Sequence, residues 1–93
     1  MVTPRDSDMH ILQGTVRDHG EWRIGLMNAF VRDGVQQARL AIARSDGPAD
    51  ERSELIGLGD IVAIGPERFV VQTIEVGEGA VRGSVGLARV SPP

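Results

Sequence analysis

The stretch VRDGVQQ, residues 31–37, predicts a tight β-hairpin turned by Asp33 and Gly34. An Asp-Gly loop of two residues favours a type I′ turn, because both central residues of that turn need positive φ. A two-residue loop also fixes the register, so the partners on the two strands can be counted outward from the turn. Side chains alternate between the two faces of a strand, and one face of this hairpin is apolar enough to be core. We expect that face to carry Met27, Ala29, Val31, Ala38, Leu40 and Ile42.

The opposite face of the same hairpin mixes bulky apolar side chains with polar ones, with Asn28 expected opposite Arg39 and Phe30 opposite Gln37. A face exposed only to solvent would be more polar, so this one is predicted to bind a partner or to line a small pocket. In a pocket, Arg39 and Asn28 could hold a carboxylate or an oxyanion. A bulge at Gly25 would turn the residues before it to the other face. The candidate binding or interface residues are Trp22, Leu26, Asn28, Phe30, Gln37 and Arg39.

A second hairpin is expected in VGEGAVRGSVG, residues 76–86, with Glu78-Gly79 as its loop and Glu75 opposite Arg82. The glycines fall as GxGxxxG, which is one residue longer than the dinucleotide-binding fingerprint, and no phosphate-binding lysine follows them. The β-branched residues after the glycines favour a strand, whereas a phosphate loop needs a helix there. We therefore interpret the glycines as hairpin residues.

These patterns together predict one all-β domain over residues 1–93, a meander of about six antiparallel strands rolled into a small barrel or a two-layer sandwich. A third hairpin is expected in GDIVAIGPERFVV, residues 59–71. A three-residue loop, PER, would place Val62 and Ile64 in the core with Val70, whereas a two-residue loop would place Ile61 and Ala63 there, and the larger apolar volume favours the first. The segment ARSDGPADERSEL, residues 43–55, is polar and rich in turn formers, so we expect a flexible loop at about 45–54 and short disordered termini. The strands are expected at residues 9–17, 21–32, 35–44, 60–65, 69–76 and 80–90.

The composition limits the classes of function. Ten arginines stand against 13 acidic residues, for a net charge of −3, and they are scattered singly along the chain. Nucleic-acid binding is disfavoured because it needs a concentrated basic face, and the three aromatic residues offer no stacking platform. The absence of cysteine excludes disulfides and thiolate metal sites, and no apolar run is long enough for a signal peptide or membrane span. We therefore expect a cytoplasmic protein with no cofactor, metal or nucleic-acid partner.

Few residues suggest catalysis. His19 lies between Asp18 and Gly20, which are turn formers, so it is expected to be a solvated turn residue. Asp60 in LGDIV is expected to bond to the neighbouring backbone, as aspartates in turns do. No catalytic residue is assigned.

The sequence LIGLGDIVAIGPERFVV, followed by GLARV, resembles the C-terminal half of short uncharacterised actinobacterial all-β proteins. The resemblance covers residues 55–90 and rests on turn and core positions, so it implies the fold and no functional residue. The use of arginine without any lysine, with abundant glycine, alanine and valine, fits the GC-rich genomes of that group.

The expected function is that of a non-catalytic binding or accessory module that acts through protein–protein contacts and associates as a homodimer. Antiparallel strands leave sheet edges that must be paired or covered, and the hairpins present apolar residues on both faces. The alternative is a β-barrel that binds a small apolar ligand, such as a cyclase or isomerase of a biosynthetic pathway.

Overall fold

Eight strands build two antiparallel four-stranded sheets in the computed structural model, which describes residues 8–90 and, of residues 47–50, the backbone alone. Sheet 1 has the order β1-β8-β7-β6, and sheet 2 has the order β2-β3-β4-β5. The all-β class is confirmed, but the strands number eight and not six, and they form no closed barrel within residues 8–90. No helix in this part of the chain could cross a membrane. The strands are β1 (Met9–Leu12), β2 (Val16–His19), β3 (Trp22–Arg32), β4 (Val35–Arg44), β5 (Gly47–Gly57), β6 (Ile61–Ile64), β7 (Glu67–Glu75) and β8 (Ser84–Arg89).

The inner faces of the two sheets supply one hydrophobic core. Strand β6 shows how the sequence specifies it, because its side chains alternate between exposed and buried, and Val62 and Ile64 are the buried pair, as predicted. The turn after them is a two-residue Gly65-Pro66 loop and not the expected three-residue loop, so Val62 pairs with Phe69, and Phe69 is buried in place of the expected Val70. The side chains in the core cluster are Met9, Ile11, Ile24, Leu26, Ala29, Ala38, Leu40, Ile42, Ile56, Val62, Ile64, Phe69, Val71, Ile74, Val85 and Leu87.

The single first strand expected at residues 9–17 is two strands that belong to different sheets. Strand β1 ends at Leu12, and the chain crosses to sheet 2 through Gln13, Gly14 and Thr15. The Thr15 backbone N–H and hydroxyl both donate to the Leu12 carbonyl, at 3.0 and 2.7 Å, and Gly14 takes a φ of +84°. This crossing places β2 at one edge of sheet 2, beside β3.

The segment expected as a flexible loop at about 45–54 pairs instead with β4 and forms most of strand β5. The charged composition of this segment predicts a loop and not a strand. In the structure, Arg52 and Glu54 pair with Ile42 and Leu40 and therefore lie on the inner side of the sheet. Arg52 donates to Glu54 at 2.9 Å and to the Ala63 carbonyl of β6. Inward-pointing charges of this kind are a common way to protect an edge strand. The expected disordered termini fall on residues 1–7 and 91–93, outside the described residues.

The Asp33-Gly34 turn is confirmed, because Asp33 has a φ of +53° and Gly34 a φ of +79°, as a type I′ turn requires. The register counted from it holds from Arg32 as far as Asn28, and then a bulge intervenes between Leu26 and Asn28. The extra residue at the bulge is Met27, which is 53% exposed. The expected burial of Met27 is therefore wrong, and so is that of Val31, which is 56% exposed near the end of the hairpin.

The register expected for the second hairpin is also wrong. Gly79 and Ala80 are the two loop residues, because the Glu78 and Val81 backbones exchange hydrogen bonds at 2.9 and 3.0 Å. Only Gly79 of the two has positive φ, +61°, as in a type II′ turn with glycine first. The pairing shifts accordingly, and Glu75 lies opposite Ser84 and not opposite Arg82.

Candidate functional site

The outer face of sheet 2 carries most of the residues predicted as a binding surface. The pairs Asn28–Arg39 and Phe30–Gln37 are directly opposed across β3 and β4, as the count from the turn predicted. On the other side of β4, Arg39 lies opposite Leu55, which is 43% exposed. We use the name outer face for the following residues of sheet 2: Val16, Gly25, Asn28, Phe30, Gln37, Arg39, Ala41, Ala43 and Leu55.

Two of the predicted interface residues are not on this face. Leu26 is only 1% exposed and lies in the core, so it cannot contact a partner there. Trp22 is half-buried and packs against the core from the inner side of sheet 2. The Met27 bulge explains why these residues face inward, because the extra residue reverses the alternation of every residue before it in β3. As a result Ile24 and Leu26 are buried, while Met27 itself is exposed.

A hollow of about 250 Å³ occupies one end of the outer face. Its floor is formed by the small residues Gly25, Ala41 and Ala43, which leave space that larger side chains would fill. Val16, which is 64% exposed, forms part of its wall. The remaining lining residues are Arg23, Arg44, Ser45 and Glu51.

The other end of the outer face carries the Phe30–Gln37 pair. Both residues are half-buried, and the Gln37 Oε1 atom is the buried side-chain oxygen for which no hydrogen-bond partner is found among the described residues. An unsatisfied buried acceptor costs about 1–3 kcal/mol.

A polar groove of about 610 Å³ lies beside this face, where the second hairpin meets the bulge of β3. Gln13 and Gly14 of the crossing segment form one side, and the hairpin loop from Gly77 to Gly83 forms the other. The loop is held tightly, because a Cβ atom on Gly77 would lie 2.6 Å from the Val81 carbonyl oxygen. The remaining lining residues are Met27, Asn28 and Ala29.

A third cluster joins the two sheets at one end of the sandwich, and sequence reasoning missed it. His19 of β2 lies with its Nε2 atom 2.8 Å from Glu67 Oε1 of β7, while Arg89 Nε of β8 donates to Glu67 Oε2 at 2.6 Å. The His19 ring also meets the edge of Phe69, with centroids 5.5 Å apart. The expected solvated histidine is thus a half-buried link between the sheets. Since His19 and Glu67 are 48 residues apart, no local sequence pattern predicts their contact.

Trp22 lies at this same end of the sandwich and packs over the turn between β6 and β7. A Cβ atom on Gly65 would lie 2.4 Å from the indole Nε1, so the glycine is needed for this contact. The Arg44 guanidinium lies 5.7 Å from the centroid of the Trp22 ring, within cation–π range. These contacts give Trp22 a structural role.

Asp60 and possible metal-binding side chains are the remaining features considered from the sequence. Asp60 is confirmed as a turn residue, because its Oδ2 accepts the Gly57 backbone N–H at 2.8 Å. Among the side chains that the structure describes, no cluster of three or more histidine and acidic residues could hold a metal ion.

Comparison of the chain with models of known protein families, with curated proteins and with solved structures found no match. The functional argument therefore depends on the geometry and chemistry of the hollow, the groove and the link between His19 and Glu67.

Proposed function

We propose that the protein is a non-catalytic binding module that associates with a second copy of itself through the outer face of sheet 2. One observation carries the proposal: a hollow and partly exposed apolar side chains lie on the same face. The hollow has Ala41 in its floor, and the apolar side chains are the half-buried Phe30 and the more exposed Leu55. Each copy thus offers both a pocket and a side chain of the kind that fills one.

The spacing suits a two-fold arrangement. Ala41 at the hollow and Gln37 beside Phe30 are four residues apart on β4, roughly 13 Å. In a two-fold interface the same surface is used twice, so a contact from one copy is repeated in reverse by the other. An axis passing midway places Phe30 of each copy over the hollow of its partner.

The polar residues between these two features support the same arrangement. Asn28 and Arg39 are directly opposed in the middle of the face. The Asn28 amide oxygen can accept and the Arg39 guanidinium can only donate, so each copy presents both halves of a hydrogen bond. Phenylalanine and arginine are both enriched at protein interfaces.

The size of the face sets the expected strength. Strand β2 has 4 residues and the other three strands of sheet 2 have 10 or 11. With strands about 4.8 Å apart and about 3.3 Å per residue, the sheet has a projected area of roughly 570 Å². A standard interface buries about 800 Å² on each partner. We therefore expect a reversible dimer whose population rises with protein concentration.

The test is the molar mass in solution, measured by light scattering over a range of concentrations. The natural sequence should approach twice the chain mass of 10.0 kDa as concentration rises. Phe30→Arg should give a folded monomer, because it places a charge where the Phe30 side chain would meet the hollow of the partner. Val31→Arg is the matched control, since this neighbour points to the opposite side and is already 56% exposed, and it should leave the dimer intact.

The outcomes separate the proposal from its rivals. A monomer at every concentration, or a dimer that Phe30→Arg leaves unchanged, would contradict it. Equal loss of the dimer in both variants would show that the contact involves the tip of the hairpin and not this face. If Phe30→Arg unfolds, Ala41→Trp fills the hollow from the surface and should prevent association while the circular dichroism spectrum stays that of a folded sheet.

A further inference from the structure

We infer that the groove beside the second hairpin is a binding site for a small organic anion, whose acidic group is held by Arg82 and whose apolar part lies against Met27 and Val81. This inference does not rest on self-association. The groove is wide enough for a small molecule, since its volume of about 610 Å³ lies within the usual range of about 300–1,000 Å³ for ligand sites.

The charge of the lining points to an anion. The chain has 13 acidic residues and a net charge of −3, yet the described residues that line the groove include Arg82 and no acidic residue. An arginine can donate two parallel hydrogen bonds to a carboxylate or phosphate, and such charge-assisted bonds are stronger than neutral ones. Arg82 is therefore the one charged side chain among the described lining residues, with the exposed Glu78 in the same loop between Gly77 and Gly79.

Two amide side chains add neutral donors around the arginine. Gln13 and Asn28 both line the groove, on opposite sides of the bulge in β3. The Gln13 side chain lies close to the hairpin, because its Oε1 would lie 2.8 Å from a Cβ atom on Gly83. Each of the two amides carries an NH2 group that can donate to an acidic group. These groups let the site orient an acidic group and not merely attract it.

Apolar side chains in the groove indicate that the ligand is organic. Met27 is 53% exposed because the bulge turns it out of the core, and Val81 is 70% exposed at the hairpin loop. Both line the groove together with the small residue Ala80. Bulges often turn a side chain toward a functional site, which fits the position of Met27 here. An inorganic ion would leave this apolar surface unused.

The site also explains what the glycine-rich hairpin does besides turning. Gly77 and Gly83 have no room for a side chain, because added Cβ atoms would lie 2.6 Å from the Val81 carbonyl oxygen and 2.8 Å from Gln13 Oε1. The loop backbone is thus packed against itself and against the crossing segment. A wall that is fixed before the ligand arrives loses less conformational entropy on binding.

The experiment is a titration followed by the backbone amide signals of the ¹⁵N-labelled protein, with benzoate, benzyl alcohol and inorganic phosphate as the three probes. Benzoate should shift the signals of Gly77, Gly79, Gly83 and Arg82 in a saturable way. Benzyl alcohol has the same ring without the charge, and phosphate has the charge without the ring. Both should bind more weakly than benzoate.

Variants assign the two halves of the site. Arg82→Gln should weaken benzoate about tenfold or more, the effect expected for loss of a charge-assisted hydrogen bond. Arg32→Gln removes an exposed arginine outside the groove, at the end of β3, and should have no effect. Val81→Ser should weaken benzoate and leave the response to phosphate unchanged. Both substituted groove residues are exposed, so the fold should tolerate the changes.

Three results would overturn the inference. One is the absence of saturable benzoate shifts in the groove. Another is equal binding by the natural sequence and by Arg82→Gln, which would show that the arginine holds nothing. The third is phosphate binding as strong as benzoate binding, which would show that charge alone is recognised and that the apolar flank has no part.

Discussion

The link between the sheets through Glu67 gives a quantitative prediction for Glu67→Gln. The carboxylate contacts His19 through one oxygen at 2.8 Å and Arg89 through the other at 2.6 Å. The glutamine keeps the shape of the side chain but loses the charge, and it turns a donor toward at least one of these two partners. The perturbation is thus confined to the electrostatics of a single cross-sheet contact.

The magnitude follows from exposure. The side chains of Glu67, His19 and Arg89 are 32%, 27% and 53% exposed. Fully exposed ion pairs contribute about 0–1 kcal/mol, and hydrogen bonds to charged groups about 1.5–3 kcal/mol. Partial exposure puts the two contacts together at about 1–2 kcal/mol, where each kcal/mol lowers Tm by roughly 4–8 °C in a domain of this size.

Thermal and urea unfolding should be measured on Glu67→Gln and on Glu78→Gln, an exposed glutamate at the second hairpin, as the matched control. The difference between them should shrink in concentrated salt, because partly exposed charges are screened. Equal stability of the two variants would refute the reasoning, and so would a difference that salt leaves untouched. In the first case the link would make no energetic contribution, and in the second its contribution would not be electrostatic.

Two further predictions concern the packing of the sheets. Gly65→Ala should lower Tm and shift the fluorescence of Trp22, the single tryptophan, because the new Cβ would lie 2.4 Å from the indole. The control is Gly59→Ala, which has the same backbone strain, at a φ of +86°, but nothing within 4 Å of the new Cβ. Equal effects of the two substitutions would contradict the contact between Gly65 and Trp22. Leu26→Ala should cost about 2–5 kcal/mol as a core truncation, whereas Met27→Ala should stay within about 0.5 kcal/mol as a surface change; similar losses in urea unfolding would show that the bulge is misplaced.

How far the sequence predicts the outer face depends on distance from the Asp33-Gly34 turn. The pairs Phe30–Gln37 and Asn28–Arg39 lie between the turn and the bulge, so simple counting places them correctly. Trp22 lies beyond the bulge, where one inserted residue reverses the alternation. A bulge arises from the balance of burial over the whole sheet, which a local pattern does not contain.

The sequence does not predict strand β5 or the link between His19 and Glu67, because both depend on tertiary contacts. Strand β5 reads as a loop because its charged residues are satisfied by each other and by the neighbouring β6, as the Arg52 contacts with Glu54 and the Ala63 carbonyl show. The link between His19 and Glu67 depends on how two sheets are stacked, and no spacing along the chain encodes that. The glycines of residues 76–86 correctly predict a hairpin, but Gly79 is the first loop residue and not the second.

The pairing of β1 with β8 imposes an order on folding. Strands β2 to β5 are consecutive and form sheet 2 through neighbouring pairs, so it closes short loops and can assemble as soon as β5 has left the ribosome. Sheet 1 has to wait, because β1 pairs with β8, with Met9 opposite Leu87, at nearly the other end of the chain. During synthesis the apolar side chains of Met9 and Ile11 therefore remain without their final partners while sheet 2 takes shape. A nascent chain halted before β8 should expose that surface to chaperones. When synthesis resumes and β8 emerges, the sandwich should be completed in one late step.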